Sequence, residues 1–271
     1  MREWRMKIKL KALPVITRYF WRSGWLHPGC LVAAVAFSLS LGACSGDSWK
    51  EEALQPDGSA IIVTRSVERG GRHEVGQQGA YIHQTLSFKM PGSGQKIEWV
   101  DALSPDLGNS SFLPMLLGVS KEAAYLLATP MGCLSYNKWG RPNPPYVVFK
   151  YTNKQWDRVA LSELPLEFKV PNLIQSSPDI DSKKTGESPV SAKTIANMVS
   201  EYKQPEFKSI VREAITGYGN FCSHQVSNGK GTWLSVDWFT KKESLDTCLD
   251  VCRRQEFGQD TCPCSKFFKG K

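Results

Sequence analysis

Hydrophobic and polar positions alternate in short runs over the first half of the chain. In YIHQTLSFKM, Tyr81, His83, Thr85 and Ser87 take one parity, and Ile82, Gln84, Leu86 and Phe88 the other, which is the period-two pattern of a strand with two different faces. The glycine-rich PGSG and then QKIEWVD follow, so this stretch predicts a hairpin. EALQPDGSAIIVTRSV sets a Pro-Asp-Gly turn before a β-branched run, and YVVFKYTNKQWDRVAL repeats the device with Thr152, Asn153 and Lys154 as its turn. FLPMLLGVSKEAAYLLATP is apolar at both parities. It reads equally as a buried strand pair or a short helix.

The period changes after a polar stretch, SSPDIDSKKTGESPV at 176–190, which reads as a linker or long surface loop. Ile195, Met198, Val199 and Tyr202 fall at helical spacing behind Ser191 as N-cap. The pattern breaks at Pro205 and resumes with Phe207, Ile210, Val211 and Ala214, predicting a second helix. TWLSVDWF reads as a strand. ESLDTCLDVCRRQEF reads as a third helix, with Ser244 as N-cap and Leu245, Cys248, Leu249 and Cys252 on one face. The predicted fold class is α+β, an antiparallel β-rich N-terminal module over 44–175 followed by a small, disulfide-stapled helical region over 191–271.

The N-terminus follows a different logic. Residues 1–29 carry seven basic side chains against the single acid Glu3, and Cys30–Ala43 is an uncharged, largely apolar run of 14 residues. Basic first and apolar second is the order of an export signal, and a bilayer-spanning helix needs roughly 20 residues. The basic stretch is long, and Met6 is a second candidate start. The run closes on Leu41, Gly42, Ala43 and Cys44, and here the chain resembles bacterial lipoproteins, whose lipobox has an aliphatic residue, two small residues and a cysteine. The resemblance implies that 1–43 is a removable signal and that Cys44 carries lipid and anchors the protein to a membrane. Ser45 stands where an Asp would retain an enterobacterial lipoprotein in the inner membrane, so the resemblance favours the outer membrane. An ordinary secretory signal ending near a cysteine is the plainer alternative. DGSAIIVTRSVERGGRHEVGQ and LSYNKWGRPNPPYVVFKY also resemble segments of proteobacterial lipoproteins of unknown function, over about 49–180; that similarity implies no activity.

Charge then changes meaning. Of 34 basic and 26 acidic residues, seven and one lie in 1–43, so 27 and 25 remain. The alkaline character belongs mostly to the signal, which removes the case for a nucleic-acid partner. Without Cys30 and Cys44, six cysteines are left, and an even number in an exported chain reads as a disulfide framework. Residues four apart stack on a helix face, and residues two apart in an extended Cys-Pro-Cys point the same way. The simplest staple therefore pairs Cys248 with Cys264 and Cys252 with Cys262, leaving Cys133 and Cys222 to join the β part to the helical part. A four-cysteine zinc site is the alternative.

Three further clusters are candidates for chemistry. Tyr136, Trp139, Arg141, Asn143 and Tyr146 form a proline-rich aromatic stretch suited to a sugar or peptide, or to a rigid turn whose rings pack on the sheet. His73 and Glu74 can do acid–base work or hold a metal, yet the rest of a zinc-protease motif is missing, and a polar glycine-rich loop fits as well. Cys222 near His224 reads more simply as half a disulfide than as a nucleophile. No dinucleotide, P-loop or Gly-x-Ser-x-Gly pattern occurs, and nothing calls for a cofactor. The expectation is an envelope lipoprotein that faces the periplasm and binds or scaffolds an envelope protein or glycan. The rival is an envelope hydrolase or metal-dependent enzyme using His73, Glu74 or His224.

Overall fold

The computed structural model describes residues 46–268, apart from Arg72 and Glu122. The signal segment and Cys44 lie outside these residues. The first four strands, β1 (Asp47–Leu54), β2 (Ala60–Gly70), β3 (Ala80–Lys89) and β4 (Lys96–Ala102), form one antiparallel meander. A second has β5 (Phe112–Ser120), β6 (Ala123–Pro130), β7 (Val147–Thr152) and β8 (Gln155–Val159) in the same sequential order. Turn chemistry sets the hairpins: Asn153 and Lys154, both at positive φ, close β7 onto β8, the backbone that a two-residue hairpin requires.

The two sheets pack face to face. Ala53, Ile61, Val63, Leu86, Phe88, Ile97 and Trp99 of the first meet Phe112, Leu117, Leu126 and Val147 of the second. The other face of the second sheet is covered as well, because Met115, Tyr125, Leu127 and Val148 pack under Leu164, Phe168 and Ile210. Burial on both faces is why FLPMLLGV and AAYLLATP lack alternation; they are the strand pair β5–β6, not a helix. Phe168 lies so close over Gly118 that any β-carbon there would strike the ring. Gln55 ties the sheets at one edge, donating to the Leu117 carbonyl at 3.1 Å and accepting from the Val119 N–H at 3.0 Å. Trp156 ties the other, donating to the Glu98 carbonyl at 2.9 Å.

Helices fill the rest: α1 (Gly132–Lys138), α2 (Pro178–Thr185), α3 (Ala192–Glu201), α4 (Pro205–Lys208), α5 (Asp237–Thr240), α6 (Leu245–Arg254) and α7 (Cys264–Phe267). Ser191 caps α3 and Ser244 caps α6 through a capping box with Thr247, as their positions in the sequence suggest. Four sequence expectations are corrected. Segment 176–190, expected as a linker or long surface loop, carries α2 over Pro178–Thr185, and Val190 exchanges backbone hydrogen bonds with the β1 edge. The helix expected beyond Pro205 stops at Lys208, because the Ile210 N–H binds the Lys169 carbonyl and Arg212 is held by four carbonyls between Leu161 and Phe168. TWLSVDWF gives only the short strand β10 (Trp233–Ser235), paired with β9 (Gln225–Ser227), before α5 begins. On α6 the buried face is Cys248, Val251 and Cys252, whereas Leu245 in the first turn is 42% exposed.

The chain is thus α+β with an antiparallel β-rich module and a disulfide-bonded helical end. The bridges are Cys133–Cys222, Cys248–Cys264 and Cys252–Cys262. The last two form a nested staple around which Phe239, Val251 and Phe257 build a small separate core. Among the described residues, no helix is long and apolar enough to cross a membrane.

Candidate functional site

The inner face of the first sheet changes character along its strands. Where it leaves the second sheet, the inward positions become Trp49, Glu51, Arg65, Arg69, Tyr81, Gln84 and Asp101. Arg65 is 2% exposed and Glu51 not at all, with Nη1 of Arg65 2.9 Å from Oε1 of Glu51. Segment 172–175 closes over them. Glu51 Oε2 accepts the Ile174 N–H at 2.9 Å, Arg65 Nη1 donates to the Ile174 carbonyl at 2.7 Å, and Trp49 Nε1 donates to Glu51 at 2.5 Å. A fully buried ion pair requires such additional partners, since desolvation otherwise exceeds the Coulomb attraction.

A second polar cluster continues toward the end of the sheet where β1 begins. Arg69 grips Asp179 of α2 with two parallel hydrogen bonds, Nε at 2.8 Å and Nη2 at 2.9 Å, while Tyr81 OH donates to the same carboxylate at 2.5 Å. Burial alone raises the Asp179 pKa, but the bonds from Arg69 and Tyr81 outweigh it, and the net effect is a lowered value. Burial first, and then the bond to Asp179, push the Tyr81 phenol well up. Beside this cluster lies an open groove of about 430 Å³ lined by Asp47, Arg69, Asp179, Ile180, Lys183 and Lys184. Its charges are already matched: Arg69 by Asp179, Lys183 by Asp47 at 2.7 Å and Lys184 by Asp181 at 2.9 Å. The groove is therefore charge-balanced rather than an anion trap.

Two other arrangements resemble catalytic ones. Lys138 Nζ contacts Ser104 Oγ, the pairing used by Ser-Lys hydrolases, yet the same nitrogen is 2.7 Å from the Asp106 carboxylate. Ser104 Oγ also donates to Asp106, so hydroxyl and amine both point at that carboxylate and do not form a nucleophile–base pair. Among the described residues, Asp101 is the one carboxyl pushed up toward neutrality, to about 6, by burial opposed by the N–H groups of Phe112 and Ser111. Its Oδ2 accepts both N–H groups at 2.8 Å, so it fastens the start of β5 to β4.

His73 and Glu74 sit on the open loop between β2 and β3, where His73 Nδ1 lies 3.1 Å from the Gly71 carbonyl and Glu74 accepts from Gln77. His224 is exposed elsewhere, next to the bridge of Cys222. The structure does not bring these groups together. The aromatic stretch is occupied from within. Tyr136 and Tyr146 are buried, and Tyr146 OH donates to the Glu206 carbonyl at 2.7 Å. Trp139 packs on Phe112 and Phe149 under Arg158. Arg141 Nη2 donates to the carbonyls of Gly219 at 2.8 Å and Cys222 at 3.0 Å, and Asn143 exchanges two hydrogen bonds with Ile215. Together with the Cys133–Cys222 bridge, these residues seat segment 215–223 on the β module. All four late cysteines are in bridges, although Cys252, Cys262 and Cys264 bring their sulfurs within 4.8 Å of one another.

Sequence reading missed the Glu51–Arg65 and Arg69–Asp179 clusters. A signal was present: in AIIVTRSVERG, Ile61, Val63, Arg65, Val67 and Arg69 share one parity, so two arginines occupy an otherwise apolar face. No protein-family model, curated protein or solved structure matches this chain.

Proposed function

We propose that the protein is a lipid-anchored component of the bacterial cell envelope, facing the periplasm from the outer membrane and acting by binding or scaffolding rather than by catalysis. The observation that carries this reading is the complete pairing of Cys133, Cys222, Cys248, Cys252, Cys262 and Cys264 in a chain whose N-terminal segment has the order of an export signal. Disulfides persist in oxidising compartments, and the periplasm is one. The lipobox-like Leu41-Gly42-Ala43-Cys44 adds the anchor. The exposed, separate positions of His73, Glu74 and His224 weigh against the enzyme reading, since a catalytic base is ordinarily oriented by a further group.

The test is Cys44→Ser. It should abolish labelling by a fatty-acid analogue and leave the unprocessed precursor at the inner membrane. Equal labelling of the variant and the wild type refutes the anchor. Cross-linking in intact envelopes, followed by capture of the mature protein, then identifies the protein or glycan it binds.

A further inference from the structure

We infer that the end of the first sheet bearing the β2–β3 loop rests on the phospholipid headgroup layer, so that the anchored protein is held in one orientation instead of swinging on a tether. The inference rests on the lipid-anchor reading and adds to it a named contact surface. Its first ground is the shortness of the connection. Asp47 already pairs with Val67 in the sheet, and a β-carbon on Gly46 would lie 2.6 Å from the Val67 carbonyl oxygen, so the chain is in close backbone contact with β2 from Gly46 onward. Cys44 is three residues from Asp47, a reach of about 10 Å in a fully extended chain. Only Ser45 stands between Cys44 and Gly46 in sequence, so the proposed lipid is tied closely to the fold.

The second ground is direction. β1 and β2 are antiparallel, so β2 runs past Val67 toward the side from which the anchor arrives. It continues through Glu68, Arg69 and Gly70, and a strand rises about 3.3 Å per residue, so it gains about 10 Å before the loop starts. The loop that follows Gly70 therefore begins about 10 Å beyond Asp47, a distance equal to the full reach of the three residues that lead to Cys44. Its most protruding apolar side chain is Val75, fully exposed and flanked by the polar His73, Glu74 and Gln77, a composition that suits a headgroup boundary. Lys183 of α2 stands at the same end, paired to Asp47 itself, so α2 and the start of β1 lie beside the loop. The opposite end of the sheet, with Ser93 in the β3–β4 turn, is separated from that loop by the 10 residues of β3, about 33 Å.

The test uses the lipidated, full-length mature protein in phospholipid vesicles, with p-benzoylphenylalanine in place of Val75 or, separately, of Ser93, and lipidation of Cys44 confirmed by intact mass. Irradiation should give phospholipid adducts at position 75 and none at 93. A flexible spacer of about 20 Gly/Ser residues inserted between Ser45 and Gly46 samples an r.m.s. distance of about 25 Å and should lower the yield at 75 about fivefold. Equal yields at 75 and 93, protein adducts alone at 75, or a spacer without effect overturn the orientation while leaving the anchor intact. Absence of lipid on Cys44 overturns the anchor reading, and the inference with it.

Discussion

Replacing Arg65 with Met leaves the Glu51 carboxylate fully buried with its counter-charge gone. Removing one partner of a buried pair costs about 3–5 kcal/mol, so Arg65→Met should lower unfolding free energy by about 4 kcal/mol, and Glu51→Leu by a similar amount. Independent effects would sum to about 8 kcal/mol in the double variant. The structure predicts otherwise. With both charges gone, what remains is the Ile174 N–H, the Ile174 carbonyl and Trp49 Nε1 without their partners. At about 1 kcal/mol each, these orphaned groups cost about 3 kcal/mol, which leaves a coupling of about 5 kcal/mol between the two sites. Urea unfolding of the four proteins, followed by far-UV circular dichroism with the disulfides intact, measures the cycle. Additive single effects, or single effects below about 1 kcal/mol, would refute the buried-pair argument.

Asp101→Asn keeps an acceptor for the three donors that converge on Oδ2, those of Ser111, Phe112 and Gln84, and removes the titration. Because burial raises the Asp101 pKa to about 6, the native state holds that proton where the unfolded chain has lost it. The group's contribution is therefore full below about pH 4 and lost as pH rises to about 6, so the stability of wild type relative to Asp101→Asn should fall across that window; a flat difference refutes it. The nested bridges should rank by loop size. The Cys248–Cys264 separation is 16 and the Cys252–Cys262 separation 10, with the second loop inside the first. Replacing Cys248 and Cys264 with Ser should therefore destabilise the helical end more, against a reference of roughly 3 kcal/mol for a 15-residue loop. The reverse order, measured by thermal unfolding, sinks that account, and a labelled thiol in the denatured, unreduced protein contradicts the full pairing.

Much of the architecture was legible because turns and parity are local. Pro-Asp-Gly, PGSG and Asn153-Lys154 each mark a hairpin that forms, and the cysteine spacing on α6 allows the nested bridges found there. The reading failed where distant segments override local preference. The extra residue opposite Glu68 and Arg69 places Tyr81 inside in place of Ile82, a bulge that alternation cannot announce. Residues 209–214 have helical spacing but are drawn flat across the second sheet by the carbonyls around Arg212. Arg141 and Asn143 look like ligand-binding groups in sequence, and only the fold reveals that their partners are the backbone carbonyls of residues 215–222.

The double covering of the second sheet bears on how the protein can change over time. In β1–β4 one parity faces solvent over most of its length, so substitutions there should be tolerated at every second position, and surface chemistry on that face is free to drift. In β5 and β6 neither parity has that freedom, because one is locked against the first sheet and the other against Leu164, Phe168 and Ile210. Two meanders of equal strand number thus carry unequal evolutionary loads. New binding specificity can arise on the first without disturbing the fold, whereas the second can change only by compensating pairs.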